Sequence, residues 1–397
     1  MAVLSTFKAI VPDPSDGPFR WNAGADLSTP VIVTFSFMEE DDLPTPGFYR
    51  NKSDRFSVFK EEQKENFRDA VALYEAAAGL VFVEVEGRGM INIHNAHGSQ
   101  YGGWASLPYV NEYFTSQGVL VIDNWGSYNE GSYGFLTLIH ELGHAVGLLH
   151  PHDGPNILEK SLDNSTNTVM SYNFGRGPTY VSELGKFDEQ AIQYLYGDVV
   201  DVSTWVLEER GEVFAITAAA GDDSSYGVAG RNDIRGLGGN DAIWGRDRND
   251  VIDAGDGDDT VRASSGNDLV HGGNGNDDLF GGYGDDEITG GQGNDTLTGD
   301  EIGAGDDVRK GNQGNDWLIG GIGIGALWGI ARNHWGGKIK TVEEAERLTG
   351  RSVVAQIPEF SDRRVNVIDV FSRRPASPLA EAVRGLRSAV QIRDLAA

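Results

Sequence analysis

Short runs of β-branched and aromatic residues at Val31 to Phe37, Leu80 to Val85, Met90 to His94 and Val119 to Asp123 have the length of strands. Between them, Phe67, Val71, Tyr74 and Ala78 recur at i, i+4, i+7 and i+11 and stop at Gly79, which predicts an amphipathic helix with its terminator. Phe135 to Val146 predicts a second helix closed by Gly147. A third runs over Asp188 to Tyr196, with Ile192 and Leu195 inward and Gly197 as the stop. The first 200 residues therefore read as an α+β domain, a mixed sheet with a few helices.

Beyond residue 230 the period changes to nine. Asp241, Asp250, Asp259, Asp268, Asp277, Asp286 and Asp295 stand nine apart, and two positions after each comes Ile243, Ile252, Val261, Val270, Leu279, Ile288 or Leu297. After an irregularity around Gly303 to Lys310, one more copy ends in Asp316 and Leu318, and the next breaks off after Gly320 to Ile324. Gly272 to Phe280 is the cleanest unit, G-G-x-G-x-D-x-U-x. Glycines let the backbone curl with its carbonyls inward, the aspartate supplies a carboxylate oxygen, and the residue two later fills a thin core. Stacked turns predict an all-β parallel β-roll binding Ca2+ between successive loops through the seven aspartates. Without the ion, the aspartate rows repel, so folding and calcium binding are expected to be one event. A disordered acidic linker explains the composition but not seven hydrophobic residues in register.

Charge and glycine sharpen the division. Residues 221–320 hold 25 of the 54 glycines and a net charge of 7 − 22 = −15, whereas residues 331–397 carry 12 − 8 = +4. The whole chain, 397 residues at −28, is a poor partner for nucleic acid or anionic lipid and a good one for cations. With no cysteine, disulfides, thiolate ligands and a cysteine nucleophile are excluded. The opening residues lack the apolar stretch of a cleavable signal peptide, so export without one is expected.

The chemistry concentrates at His140, Glu141, His144, Gly147 and His150. Residues four apart on a helix present two imidazoles on one face. Gly147 permits the positive φ that turns the chain back and brings His150 to the same point. Three neutral imidazoles with an open fourth position describe a catalytic rather than a structural Zn2+ site. Glu141, displaced around the helix, can take a proton from a zinc-activated water attacking a peptide carbonyl and deliver it to the leaving amine. Twenty residues after His150, a turn carrying Met170 can lay an apolar floor beneath the imidazoles, while the Tyr172 hydroxyl can bind zinc or hydrogen-bond a tetrahedral intermediate. His94 and His97, at a strand end without a third partner, read as surface or hydrogen-bonded histidines.

The His140 to His150 stretch with its following Met-turn resembles the metzincin metalloproteases. Pro151, the Met-Ser-Tyr of the turn, Phe187 to Gly197 and the glycine-aspartate repeats together resemble the serralysin branch, over roughly residues 20 to 320. That resemblance implies a zinc endopeptidase with protein or peptide substrates, His140, His144 and His150 as ligands, Glu141 as base and Tyr172 as a switching ligand. It also implies an extracellular protein leaving bacteria through one-step export machinery, with substrate pairing along the sheet edge at Ala105 to Pro108; the oligomeric state stays open, a monomer being expected. His152, Asp153 and Asn173 depart from the pattern and bear on substrate preference.

Four segments are expected: a leader or pro-segment at 1–19, the metalloprotease domain at 20–200, the calcium-binding roll at 201–325, and a short α/β or irregular basic segment at 326–397. Leu318 to Ala331 is apolar but shorter than a membrane-spanning helix. Further along, Ile339 to Glu346, Gln356 to Pro358 and Pro378 to Arg387 weakly resemble the juxtamembrane linker of bacterial polysaccharide chain-length regulators and tyrosine autokinases. No phosphate-binding loop accompanies them, so no kinase activity is inferred. The rival to the peptidase reading is a non-catalytic calcium-dependent binding or adhesion protein, which the intact Glu141 and three histidines disfavour.

Overall fold

The computed structural model describes residues 2–12, 19–23, 25–45, 55–97, 102–111, 114–115, 117–123, 126–174, 179–299 and 307–319. The basic segment at 326–397 and the broken last repeat lie outside the described residues.

The first half is built on a six-stranded sheet of β1 (Val31–Phe37), β2 (Arg55–Ser57), β3 (Leu80–Glu84), β4 (Ile91–His97), β5 (Gly103–Ala105) and β6 (Gly118–Asp123). Its order is β3-β1-β4-β6-β5, with β2 pairing antiparallel to β4. The inner pairs are parallel and β5 closes one edge antiparallel to β6. Every residue of β1 is buried, as suits a parallel strand covered on both faces. Helices α1 (Glu61–Glu75), α2 (Tyr133–Ala145) and α3 (Lys186–Tyr196) complete this half.

Helix α1 begins six residues before the predicted apolar stripe, because Glu61, Glu62, Lys64 and Glu65 supply a polar first turn that periodicity does not register. The Lys60 N–H donates to Gln63 Oε1 at 3.0 Å, closing its start. The helix ends at the Ala76 cap, so Gly79 is not its terminator. A Cβ on Gly79 would stand 2.4 Å from the Tyr196 carbonyl, so the glycine serves the close approach of α3's end instead. Residues 2–11 share this half's core: Ala2–Leu4 pairs with Asn156–Leu158, and the buried Ile10 accepts a bond from the Leu149 N–H at 2.9 Å. They are packed as part of this half and do not stand apart from it.

The second half is a β-solenoid of about six turns over residues 213–319. An antiparallel hairpin, Val206–Arg210 with Val213–Thr217, leads into it, a start that the nine-residue period does not announce. Successive strands alternate between two sheets, each parallel to the strand 18 residues away, as in Val251 against Leu269 and Thr260 against Asp278. Past Glu287 and Thr296 the register lengthens to 21, Glu287 facing Val308 and Thr296 facing Trp317, which absorbs the irregularity in the repeat. Ile234, Ile252, Val270 and Ile288 from one sheet meet Ile243, Val261, Leu279 and Leu297 from the other, all buried. Two large aliphatic side chains per turn, one from each sheet, fill a core two sheets thick.

Such tight stacking leaves no room at the turns. Gly284 has φ +127°, and a Cβ there would stand 1.7 Å from the Gly266 carbonyl, whereas Gly211 at φ +65° in the leading hairpin has nothing within 4 Å. Gly211→Ala is expected to cost about 1 kcal/mol, the left-handed φ alone, while Gly284→Ala must also displace a neighbouring turn and should cost about 3 kcal/mol or more. Thermal unfolding of the two variants in calcium checks the ordering; equal losses would refute it.

Candidate metal centres

Helix α2 is capped by Ser132, whose Oγ accepts the Phe135 N–H at 3.1 Å. At its far end Gly147 adopts φ +100°, and the Leu148 N–H returns to the Gly143 carbonyl at 2.8 Å. A Cβ on Gly147 would fall 2.5 Å from the Phe19 carbonyl, so the turn needs glycine for its φ and for space. The reversal brings His150 Nε2 to 3.2 Å from His140 Nε2 and 3.0 Å from His144 Nε2.

The other nitrogen of each ring is committed. His140 Nδ1 donates to the Val169 carbonyl at 2.7 Å, His144 Nδ1 to the Leu148 carbonyl at 2.8 Å, and His150 Nδ1 to Asp153 Oδ2 at 2.9 Å. With Nδ1 protonated, all three Nε2 lone pairs point at one another, which a shared cation relieves. Burial, with the neighbouring His144, lowers His140 to about 3, and burial with His150 lowers His144 to about 4. Burial also lowers His150, against the opposing pull of Asp153. Neutral imidazoles with convergent lone pairs are the donor set that zinc takes.

Below the rings lies the turn at Thr168 to Tyr172. Met170 is fully buried, and a Cβ on Gly143 would stand 2.5 Å from its sulfur, so the thioether packs against α2 between the two histidines' turns. Asp188, at the start of α3, fastens the turn: it accepts from Thr168 Oγ1 at 2.6 Å, the Val169 N–H at 2.8 Å and the Gly185 N–H at 2.8 Å. Val169 is the residue whose carbonyl orients His140, so Asp188 acts on the centre through the backbone. Tyr172 is half exposed, its hydroxyl 2.7 Å from His150 Nε2 and its ring stacked on His140.

Glu141 is buried beside the edge strand: a Cβ on Gly103 of β5 would meet its Cγ at 2.9 Å. Burial raises it to about 8, and Oε2 has no hydrogen-bond partner among the described residues. His94 and His97 lie away from this point, His94 inside β4 and His97 at its end. His94 is fully buried against Phe56, and His97 Nε2 bonds Ser57 Oγ at 2.8 Å. His152 and Asp153 form a second group with His150, in which Asp153 is exposed.

In the roll, the seven aspartates stand in two columns. Each Oδ1 receives a backbone N–H from the turn before, as from Asp241 to Asp259 at 2.8 Å and from Asp250 to Asp268 at 2.8 Å. The second oxygen of Asp241, Asp250, Asp259, Asp268, Asp277 and Asp295 is buried without a donor among the described residues. Glycine leaves the cradle open: a Cβ on Gly272 would lie 2.3 Å from Asp277 Oδ2 and 2.7 Å from the Gly290 carbonyl. Carboxylate and carbonyl oxygens facing one small space fit calcium. Burial raises Asp268 and Asp277 to about 7, and burial with the Asp268 charge raises Asp250 to about 9. Asp307 and Asp316 extend the columns through the 21-residue register.

Trp21 and Arg246, two residues without a sequence signature, join the halves. Trp21 donates from Nε1 to the Ala145 carbonyl at 2.8 Å, and the Tyr196 hydroxyl donates to the Val146 carbonyl at 2.8 Å, so both satisfy the end of α2. From the roll, the buried guanidinium of Arg246 donates to the Trp21 carbonyl.

Comparison with known proteins bears on the second half. The family model of the RTX calcium-binding nonapeptide repeat (4 copies) matches residues 217–247, 236–270, 244–279, 271–301 and 302–324. The serralysin of Proteus mirabilis is 29% identical over 213 residues, 45% of this chain and 42% of that protein. Metalloprotease AprA of Pseudomonas entomophila (strain L48) is 27% identical over 203 residues, 44% and 41%. The serralysin of Photorhabdus sp. (strain Az29) is 26% identical over 206 residues, 46% and 42%. The match spans about two fifths of these relatives' length and falls on the repeat-containing half. The chain thus carries RTX calcium-binding repeats and is similar to serralysin and AprA through them.

Raised aspartate pKa values fix how the calcium-free roll responds to acid. A carboxylate protonated more readily in the folded state adds stability below its unfolded value of about 3.9, and that stability is lost as pH rises through the folded value of about 7. In calcium-free buffer the strand signal in far-UV circular dichroism should therefore be greater at pH about 5 than at about 8. Saturating calcium should remove the difference; no difference without calcium would contradict the buried columns.

Proposed function

We propose that the chain is a secreted zinc metalloendopeptidase of the serralysin-like, metzincin kind, its first half the catalytic domain and its RTX roll a calcium-stabilised appendage. The observation that carries this reading is the convergence of three Nε2 atoms whose rings are each oriented by an Nδ1–H bond. His140, His144 and His150 would hold zinc. Bound there, zinc supplies Lewis acidity, polarising a peptide carbonyl and acidifying a water.

The chain's own groups do the rest. Glu141 takes a proton on its carboxylate from the attacking water and returns it to the leaving nitrogen; its burial and its unpartnered Oε2 suit a group that holds a proton for part of the cycle. The Tyr172 hydroxyl donates to the oxygen that gains charge as the carbonyl becomes tetrahedral. Strand β5, an edge strand in contact with Glu141, offers its outer backbone to an extended substrate, which sets the scissile bond beside the carboxylate. Millimolar calcium outside cells would complete the roll after export in an open form, consistent with one-step bacterial export machinery.

Casein hydrolysis by the purified protein should vanish with a chelator selective for transition metals and fall at least about 10³-fold in Glu141→Ala. Tyr172→Phe should lower kcat about 10- to 100-fold while elemental analysis still finds one zinc per chain. Equal activity in the parent, Glu141→Ala and chelated samples would defeat the peptidase reading in favour of a calcium-dependent binding protein.

A further inference from the structure

Asn232 stands where an aspartate stands in every later turn of its column. Its backbone N–H donates to Asp250 Oδ1 at 2.7 Å, as the Asp250 N–H donates to Asp268 Oδ1 at 2.8 Å. Its side chain behaves differently. Nδ2 is directed at the carbonyls of Val228 (3.2 Å), Gly230 (3.0 Å) and Gly245 (3.2 Å) and at Asp250 Oδ1 (3.0 Å), while Oδ1 accepts the Val228 N–H at 2.9 Å.

That nitrogen sits in the place of the orphaned carboxylate oxygens. A Cβ on Gly227 would stand 2.8 Å from Asn232 Nδ2 and 2.3 Å from the Gly245 carbonyl, the counterpart of Gly272 against Asp277 Oδ2 and the Gly290 carbonyl. Rotating the amide by half a turn would set its oxygen among four acceptors and its NH2 against the Val228 N–H, so the bonds themselves fix the orientation. Three carbonyls and a carboxylate oxygen around one point make the surroundings of a cation. Here two polar N–H groups meet them, and those hydrogens would repel an ion.

We propose that the side-chain amide of Asn232 replaces a calcium ion at the first position of this column, so that the turns at 227–232 and 245–250 close on the chain's own atoms. The second of those turns carries Arg246, which donates to the Trp21 carbonyl. The end of the roll that touches the first half is thereby closed by a donor that cannot dissociate, while later turns wait for calcium.

The test counts calcium ions per full-length chain by native mass spectrometry after saturation, a reading independent of proteolysis. Asn232→Asp should bind one calcium more than the parent, and in calcium-free buffer it should melt at a lower temperature, because a second carboxylate then faces Asp250. An unchanged count in a natively folded Asn232→Asp would overturn the proposal. Should that variant not fold, Asn232→Ala decides: the parent's count is expected, whereas the loss of one ion would mean that the parent asparagine ligates calcium and would equally overturn it.

Discussion

Acceptor atoms drawn together without their own protons are the constraint on which this molecule is organised. Three imidazole lone pairs face each other at the end of α2, and two columns of carboxylates face inward along the roll. Either arrangement is costly without a cation, since a buried polar group without a partner costs about 1–3 kcal/mol and a buried charge more. Everything nearby is built to hold the acceptors in place regardless. Nδ1–H bonds orient the rings, backbone N–H groups hold one oxygen of each aspartate, and glycines leave the space into which the other oxygen points.

Much of this was legible from residue types and spacing. His140, His144, Gly147 and His150 converge as their offsets implied, because helical geometry and a glycine turn fix those offsets locally. The nine-residue period carried the roll, its core and its aspartate columns, since each turn repeats one local solution. Boundaries were less legible. The polar first turn of α1 leaves no apolar trace, and Gly79 reads as a helix stop although it answers to the Tyr196 carbonyl, more than a hundred residues away.

What the sequence concealed is long-range. Asp188 could pass for an acid placed to suit a helix N-terminus, yet it holds the turn that orients His140. Trp21 and Arg246 carry no motif. Their roles arise only when the end of α2, the N-terminal segment and the first turns of the roll meet, so that satisfying the last carbonyls of the helix depends on a residue itself held by the roll. Asn232 is a one-atom change within a motif, and its meaning appears only when four oxygens are seen around its nitrogen.

The strictly parallel stacking has a consequence for how such a chain can change length. Each pair of nonapeptides adds one rung to both sheets, about 4.8 Å along the stack, and its neighbours are only the rungs above and below. Gain or loss of whole rungs far from Arg246 alters reach and ion capacity while leaving the histidine-bearing half untouched. The step in register from 18 to 21 shows that even a partial insertion is absorbed within one rung. Size in this half is thus a modular variable, changed by whole rungs rather than by redesign of a core.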